Sequence, residues 1–99
     1  MNKSELKLYR LKHKKSGLYY TKNTLSEKGK IYSSPGNYLT YLGDTYDDLY
    51  IPRDGKLAQK YPILAELDCT TAEEFEHSVW TPSIRLRVTK DDFKKEYIN

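Results

Sequence analysis

The sequence predicts an α+β fold in which a small, mostly antiparallel sheet packs against two or three short helices. Runs of β-forming residues separated by glycine turns fill the first third of the chain and predict an N-terminal β-hairpin. Helical spacing, capping signals and a strongly alternating strand follow, in the predicted order β-β-β-α-β-α-β-α. Because the chain has 99 residues and no internal repeat, we expect residues 1–99 to form a single domain.

The first hairpin is predicted at residues 5–12 and 18–21. The apolar alternation slips midway along the first strand, so either both faces are partly covered or a bulge lies near Leu8. Gly17, in the loop, is free to take a positive φ. A third short strand is predicted at residues 30–33, after a polar connection.

The middle of the chain predicts a helix followed by a strand. Apolar residues recur at helical spacing over about 36–50, after a Ser-Pro pair typical of a helix start, and Gly43 is a point where this helix can break. Residues 52–55 predict a turn. Pro62 disfavours the helical conformation for the residue before it, so residues 63–67 are predicted to form a strand.

The last third predicts a helix, a strand and a second helix. Thr71 and Glu74 form a capping-box pattern, which predicts a short helix up to about Trp80. Residues 83–89 alternate between apolar and polar side chains and form the clearest predicted strand. Residues 90–98 are predicted to be a helix capped by the preceding threonine.

Cysteine usage and hydropathy predict the compartment. Cys69 is the single cysteine, which excludes an internal disulfide and fits a reducing environment. The N-terminal stretch has no apolar run of signal-peptide length, and no window approaches a membrane span. We therefore expect a cytoplasmic protein without a membrane partner.

Charge is divided unevenly along the chain. Residues 1–34 carry nine Lys or Arg against two Glu, whereas residues 35–99 carry eight basic against twelve acidic residues. One interpretation is that these charges lie on a solvated surface and that the two parts of the chain attract each other. The other interpretation is that the electrostatic field of the protein guides a charged partner.

Nothing in the sequence predicts a reaction, a cofactor or a metal site. His13, His77 and Cys69 are the residues suited to nucleophilic or zinc chemistry, and no known motif surrounds them. We therefore expect a protein that is not an enzyme. Asp47 and Asp48 lie in an acidic stretch without the calcium-loop pattern, and they predict either a solvated face or an acidic contact for a basic partner.

Basic residues interleaved with tyrosines predict a binding surface. Lysines neutralise phosphates and tyrosine rings stack on unpaired bases, although a polar sheet face can also simply meet water. Two arginines share one face of the strand at 83–89, and they would extend the surface if that strand paired beside the hairpin. The candidate residues are Arg10, Lys12, Lys14, Lys15, Tyr19, Tyr20, Lys22, Lys30, Arg85 and Arg87.

Part of the chain resembles small uncharacterised proteins of tailed bacteriophages. Their pattern is Y-x-I-K/R-x-K-x-T-G-L-Y/F, then L/F-S/T-x-x-G-K-I/V-Y/W, then a short helix ending H/Y-L. It is matched here at residues 9–19, 25–32 and 41–42, with Ser16 for threonine and Leu11 for isoleucine. The resemblance implies an accessory protein made in the cytoplasm of an infected bacterium, where such proteins commonly bind and inhibit or redirect a host factor.

Two functions therefore follow from the sequence. The first is a non-enzymatic phage accessory protein that binds a host protein, such as a defence nuclease or a toxin, for which the ten tyrosines are suited. The alternative is an RNA- or DNA-binding module that uses the basic, tyrosine-rich hairpin. The oligomeric state is left open by the sequence.

Overall fold

The computed structural model describes residues 7–33, 38–77 and 83–98. These residues form a four-stranded antiparallel sheet, a two-stranded antiparallel sheet and four short helices, which confirms the predicted α+β class. The elements in chain order are β1 (Tyr9–His13), β2 (Tyr19–Thr21), β3 (Thr24–Ser26), α1 (Tyr38–Leu42), β4 (Asp47–Pro52), α2 (Lys56–Lys60), α3 (Ile63–Glu66), α4 (Ala72–His77), β5 (Ser83–Val88) and β6 (Phe93–Tyr97), with a 3₁₀ turn at Lys90–Asp92.

The four-stranded sheet has the order β3-β2-β1-β6, so β1 lies between β2 and β6. β1 pairs with β6 over its whole length, from Tyr9 opposite Tyr97 to His13 opposite Phe93. Alternation along β1 buries Tyr9, Leu11 and His13 on one face. The other face is left for polar side chains.

The second sheet pairs β4 with β5, beginning at Asp47 opposite Val88. Its buried residues are Leu49, Ile51, Ile84, Leu86 and Val88. They join the buried residues of the four-stranded sheet, Leu42 of α1 and Leu64 of α3 in one hydrophobic core. Both sheets are thus held by a shared apolar interior, which is the main favourable contribution to folding.

The predicted first hairpin is confirmed as β1 and β2, joined by a turn in which Gly17 has a φ of +77°. Residues 5 and 6 of the predicted first strand lie outside the described residues. The predicted third strand at 30–33 is wrong, since β3 forms earlier, in the polar connection. The two-residue turn before β3 is tight because Asn23 takes a φ of +58°.

The segment that follows β3 lies between β1 and β2, where these two strands separate. Lys30 N–H donates to Tyr20 O at 2.9 Å, and Tyr32 makes an isolated antiparallel bridge to Tyr9. Gly29, with a φ of +72°, turns the chain into this gap. Because each neighbouring strand supplies only one or two backbone partners, the segment does not extend into a strand.

The helix predicted at about 36–50 is correct only at Tyr38–Leu42, and its first two residues lie outside the described residues. The chain leaves the helix at Gly43, which has a φ of +53°. The remainder forms β4 instead, because Leu49 and Ile51 are both buried when they alternate along a strand paired with β5.

The strand predicted at 63–67 is wrong, since Ile63–Glu66 is the helix α3. Pro62 restricts only the residue before it, so it ends α2 at Tyr61 and starts α3, with its own φ at −58°. Helix α2 has no counterpart among the sequence predictions. In the described part of the chain, no helix is long and apolar enough to span a membrane.

The C-terminal predictions divide into two confirmed elements and one error. Strand β5 is confirmed. The start of α4 is also confirmed, since Thr71 and Glu74 exchange capping hydrogen bonds. Residues 78–80 of this predicted helix lie outside the described residues. The helix predicted at 90–98 is wrong. The Thr89 cap opens only the 3₁₀ turn, and β6 follows because it satisfies the backbone groups along the edge of β1.

Candidate functional site

Folding makes the charge division sharper in space than it is in the sequence. Strand β6 places Lys94 and Lys95 beside the basic hairpin. Residues 7–33 and 93–98, which form the four-stranded sheet and its turns, carry ten Lys or Arg against two Glu. The other described residues carry six basic against eleven acidic side chains. The four-stranded sheet is therefore the electropositive part of the described structure.

The outer sheet face is the polar face of this sheet, and alternation assigns to it Arg10, Lys12, Tyr19, Lys94 and Glu96. Lys12 Nζ lies 3.4 Å from Glu96 Oε2, and the Tyr19 hydroxyl donates to Glu96. The Tyr19 hydrogen bond lowers the pKa of Glu96. The Arg10 guanidinium lies 5.8 Å from the centroid of the Tyr19 ring. One carboxylate thus sits among three cations, which leaves the outer sheet face positive.

Three further predicted cations lie in the turns that edge the sheet. Lys14 and Lys15 are exposed in the turn between β1 and β2, and Lys22 is exposed in the turn between β2 and β3. Their exposure leaves them accessible to a partner, and it also means that salt screens them strongly.

A second group of cations and aromatic rings lies at the Tyr9 end of the opposite sheet face. The Tyr9 ring stacks on Tyr32 at 5.9 Å and meets the edge of Tyr97 at 5.7 Å. Each of these rings has a lysine 5.0–5.7 Å from its centroid. We call this group, comprising Lys7, Tyr9, Lys30, Tyr32, Lys95 and Tyr97, the lysine–tyrosine cluster.

A cleft of about 570 Å³ adjoins the cluster at Tyr32. We call it the tyrosine cleft, and its lining is Tyr20, Asn23, Lys30, Tyr32, Tyr38, Tyr41 and Asp47. Three of its rings form a ladder. Tyr20 stacks on Tyr38 with 3.7 Å between centroids and 11° between planes, and Tyr38 stacks on Tyr41 at 6.2 Å and 21°.

Burial raises the pKa of two phenols in the lining of the cleft, those of Tyr32 and Tyr38. The Tyr38 hydroxyl donates to Asp47 Oδ2 at 2.8 Å, and burial together with this bond raises the pKa of Tyr38. Burial also raises the pKa of Tyr32 to about 12. Both hydroxyls therefore stay protonated even at alkaline pH, and that of Tyr38 is a donor to Asp47.

The structure separates Arg85 and Arg87 from the hairpin. Strand β5 pairs with β4 in the second sheet, so the extended platform that depended on pairing beside the hairpin does not form. Arg85 makes two hydrogen bonds to Glu74, at 2.8 and 2.9 Å, which help lower the pKa of that carboxyl to about 2. Arg87 donates to Asp48 and lies 4.2 Å from the Tyr46 ring centroid. Both arginines are therefore engaged within the second sheet and α4.

The two predicted acidic contacts have different surroundings. Asp47 lines the tyrosine cleft, where it accepts from Tyr38, whereas Asp48 pairs with Arg87. A partner would therefore meet the carboxylate of Asp48 already paired within the second sheet. Their role as a contact for a basic partner stays a prediction.

No group of three or more His, Cys, Asp or Glu side chains in residues 7–33, 38–77 and 83–98 could hold a metal ion. His13 is buried, its Nδ1 lies 2.7 Å from Ser16 Oγ, and burial lowers its pKa. Cys69 is half-buried, with its Sγ 3.5 Å from Arg85 Nε. These residues take part in local hydrogen bonding that supports the first turn and β5.

Sequence reasoning found part of the site and missed the rest. It named Tyr20, Lys30 and Asp47 of the tyrosine cleft, but missed Tyr38 and Tyr41, which only the docking of α1 brings to β2. It also missed Lys95, because the four-residue spacing of Phe93 and Tyr97 suits a helix and the lysine between them interrupts any alternation.

No protein-family model matches the chain, and neither the curated proteins nor the solved structures gave a significant match. The resemblance to the bacteriophage pattern therefore stays a prediction.

Proposed function

We propose that this protein is a non-enzymatic binding protein that holds single-stranded nucleic acid on its four-stranded sheet. The observation that carries the proposal is the ten-to-two excess of basic side chains over carboxylates in the sheet and its turns, among tyrosine rings. The overall charge of +3 understates this excess because the second sheet and its helices are acidic. A local basic face with stacking platforms is the usual composition of a single-strand binding surface.

The position of the cations favours contact with the phosphate backbone. Lys12 and Lys94 lie opposite each other on the outer sheet face, and the carboxylate beside them, Glu96, offsets only one of the three positive charges of Arg10, Lys12 and Lys94. Lys14 and Lys15 continue the positive surface into the exposed turn. Phosphates of an extended strand would neutralise these charges and release their counterions.

The position of the tyrosines favours unpaired bases. Tyr97 is 53% exposed in the lysine–tyrosine cluster, on the sheet face opposite Lys12 and Lys94, and Tyr41 is 79% exposed in the lining of the tyrosine cleft. Bases inside a duplex present only their edges, whereas an unpaired base can stack on such rings. Exposed rings next to lysines therefore support a single strand rather than a duplex.

Fluorescence anisotropy with a labelled single-stranded oligonucleotide tests the proposal. We expect saturable binding that weakens steeply from low to physiological salt. Lys12→Ala combined with Lys94→Ala should weaken binding and reduce the salt slope by roughly 0.7 for each phosphate that the variant no longer neutralises. The matched control is Lys56→Ala combined with Lys90→Ala, which removes two exposed lysines from the acidic half. Absence of binding at low salt would contradict the proposal.

A second candidate function is the host-protein contact implied by the bacteriophage resemblance. Three apolar side chains at the Tyr9 end of the sheet are substantially exposed, and alternation assigns them to the outer sheet face beside Arg10 and Tyr19: Leu8 at 37%, Ile31 at 49% and Ile98 at 43%. Arginine and tyrosine beside apolar groups are typical of protein-interface anchors. In this proposal the protein inhibits or redirects a host factor, such as a defence nuclease, in the bacterial cytoplasm.

Affinity purification of the tagged protein from infected cells tests this candidate. A stoichiometric host protein should be recovered with the wild-type chain and lost with Ile31→Asp, which places a charge among the exposed apolar side chains. Tyr50→Asp is the control, since Tyr50 is comparably exposed, at 51%, on the other sheet. Equal recovery with both variants would exclude the outer sheet face as the contact.

A further inference from the structure

We infer that the tyrosine cleft is a site for one unpaired nucleobase, with guanine preferred, in which the base continues the ladder of stacked tyrosines. The inference rests on the proposed nucleic-acid function and deepens it, since it assigns one base of the strand to a defined site. The volume of about 570 Å³ lies within the range of small-molecule sites, roughly 300–1,000 Å³.

The ladder geometry indicates a flat ligand. Tyr20, Tyr38 and Tyr41 are nearly parallel, and the last ring in the series is 79% exposed. A ladder of parallel rings offers a planar surface at its free end, on which a base can stack. The cage that binds a quaternary ammonium instead needs rings that surround the cation.

The polar groups of the lining are placed to bind the edge of a base and its phosphate. Asp47 accepts from Tyr38 at Oδ2 and from the Asp48 N–H at Oδ1, so each oxygen keeps a second lone pair. Guanine presents two adjacent N–H donors on its pairing edge, which match the two oxygens of one carboxylate. Lys30, whose Nζ lies 5.4 Å from the Tyr32 centroid, supplies a cation for the phosphate.

The same lining disfavours the main competing ligand, an arginine side chain of a protein partner. A guanidinium would also stack on tyrosine and pair with Asp47, as Arg87 does with Tyr46 and Asp48 within this chain. Lys30 in the lining would repel such a cation and attract the phosphate of a nucleotide. One cation and one carboxylate in the lining therefore match a nucleotide, which presents an anionic phosphate and a base edge with N–H donors.

Backbone amide NMR with guanosine monophosphate tests the inference. We expect saturable shifts at Asn23 and Tyr41, smaller shifts with uridine monophosphate, and none there with inorganic phosphate. Tyr41→Ala should abolish the shifts at Asn23, and Tyr41→Phe should restore them, because only the ring is needed for stacking. Tyr50→Ala is the control, since it removes a half-exposed tyrosine that does not line the cleft. Asp47→Asn should reduce the preference for guanine over uracil.

Three results would overturn the inference. These are shifts at the cleft with an arginine amide and not with the nucleotide, equal shifts with phosphate alone, and unchanged nucleotide shifts in Tyr41→Ala. If an oligonucleotide binds through Lys12 and Lys94 while guanosine monophosphate leaves the cleft unperturbed, the inference fails and the proposed function stands. If neither the oligonucleotide nor the nucleotide binds, both fail.

Discussion

The rings of Tyr20 and Tyr38 lie 3.7 Å apart and within 11° of parallel, although one belongs to β2 and the other to α1. The hydroxyl of Tyr38 also donates to Asp47 at the start of β4. A single side chain thus joins the four-stranded sheet, the first helix and the second sheet. The wall of the tyrosine cleft is therefore also a structural connection between the two sheets.

Two substitutions of Tyr38 should separate the contribution of its hydrogen bond to the free energy of unfolding from the contribution of its ring stack. Tyr38→Phe keeps the stack and loses the bond to Asp47, so we expect the free energy of unfolding to fall by about 1 kcal/mol. Tyr38→Ala also leaves a cavity and should cost about 3–5 kcal/mol. Urea unfolding measures both values, with Tyr50→Phe as the control at a half-exposed ring. Equal losses for the two Tyr38 variants would show that the stack contributes nothing.

Two glycines with similar backbone angles should respond differently to alanine. Gly17 and Gly29 have φ of +77° and +72°, so a side chain is strained at both, by about 1–2 kcal/mol. A Cβ at Gly29 would also lie 2.3 Å from the Cβ of Tyr19, whereas one at Gly17 would meet nothing within 4 Å. Urea unfolding should therefore show a larger loss of stability for Gly29→Ala.

The same pair of variants links stability to binding. Gly29 sets the path of the segment that carries Lys30 and Tyr32, so Gly29→Ala should also weaken nucleotide shifts at the cleft. Gly17→Ala, at the far turn, should leave those shifts unchanged. Equal stability of the two variants would mean that the close approach to Tyr19 is relieved at no cost.

Stability should decline in mild acid because of His13. Burial lowers its pKa from the ordinary value of 6.5, despite an opposing effect of Asp92. Below pH 6.5 the unfolded chain therefore binds a proton that the folded chain does not yet bind. The contribution of this group to the free energy of unfolding is complete above that pH and decreases as pH falls toward the folded pKa. Urea unfolding across this range should show the decrease.

Replacement of His13 isolates this effect. His13→Gln should flatten the pH dependence of the free energy of unfolding below pH 6.5. A pH profile that is unchanged in His13→Gln would assign the acid sensitivity to other groups, of which the carboxylates paired with arginine are the first to consider.

Substitution of Arg85 in β5 should affect stability and not binding, whereas substitution of the lysines in the first turn should affect binding and not stability. Arg85→Ala removes two hydrogen bonds to Glu74 and should lower the midpoint of thermal unfolding without changing oligonucleotide affinity. Lys14→Ala combined with Lys15→Ala should weaken the affinity and leave thermal unfolding unchanged, since both side chains are exposed. Thermal unfolding and anisotropy on the same samples measure both effects. A loss of affinity in Arg85→Ala would place β5 within the binding surface.

Local patterns in the sequence were sufficient where the apolar residues followed one clear period or a capping pattern was present. The first hairpin and β5 follow from alternation and turn chemistry, and the start of α4 follows from the Thr71–Glu74 capping box. Short segments whose apolar residues fit both the helical period and the two-residue period of a strand were ambiguous. In β6, for example, Phe93 and Tyr97 are four residues apart, which suits a helix, and they also share one face of a strand.

The sequence by itself determined the α+β class, the basic character of the first third and the tyrosine content. The tertiary structure alone decided that β6 pairs with β1, that 47–52 becomes a strand beside β5, and that α1 stacks Tyr38 on Tyr20. The physical reason is that these segments are too short for propensity to decide their conformation. Their backbone hydrogen bonds and buried area are supplied by partners distant in the chain, and those partners assemble both the electropositive sheet and the tyrosine cleft.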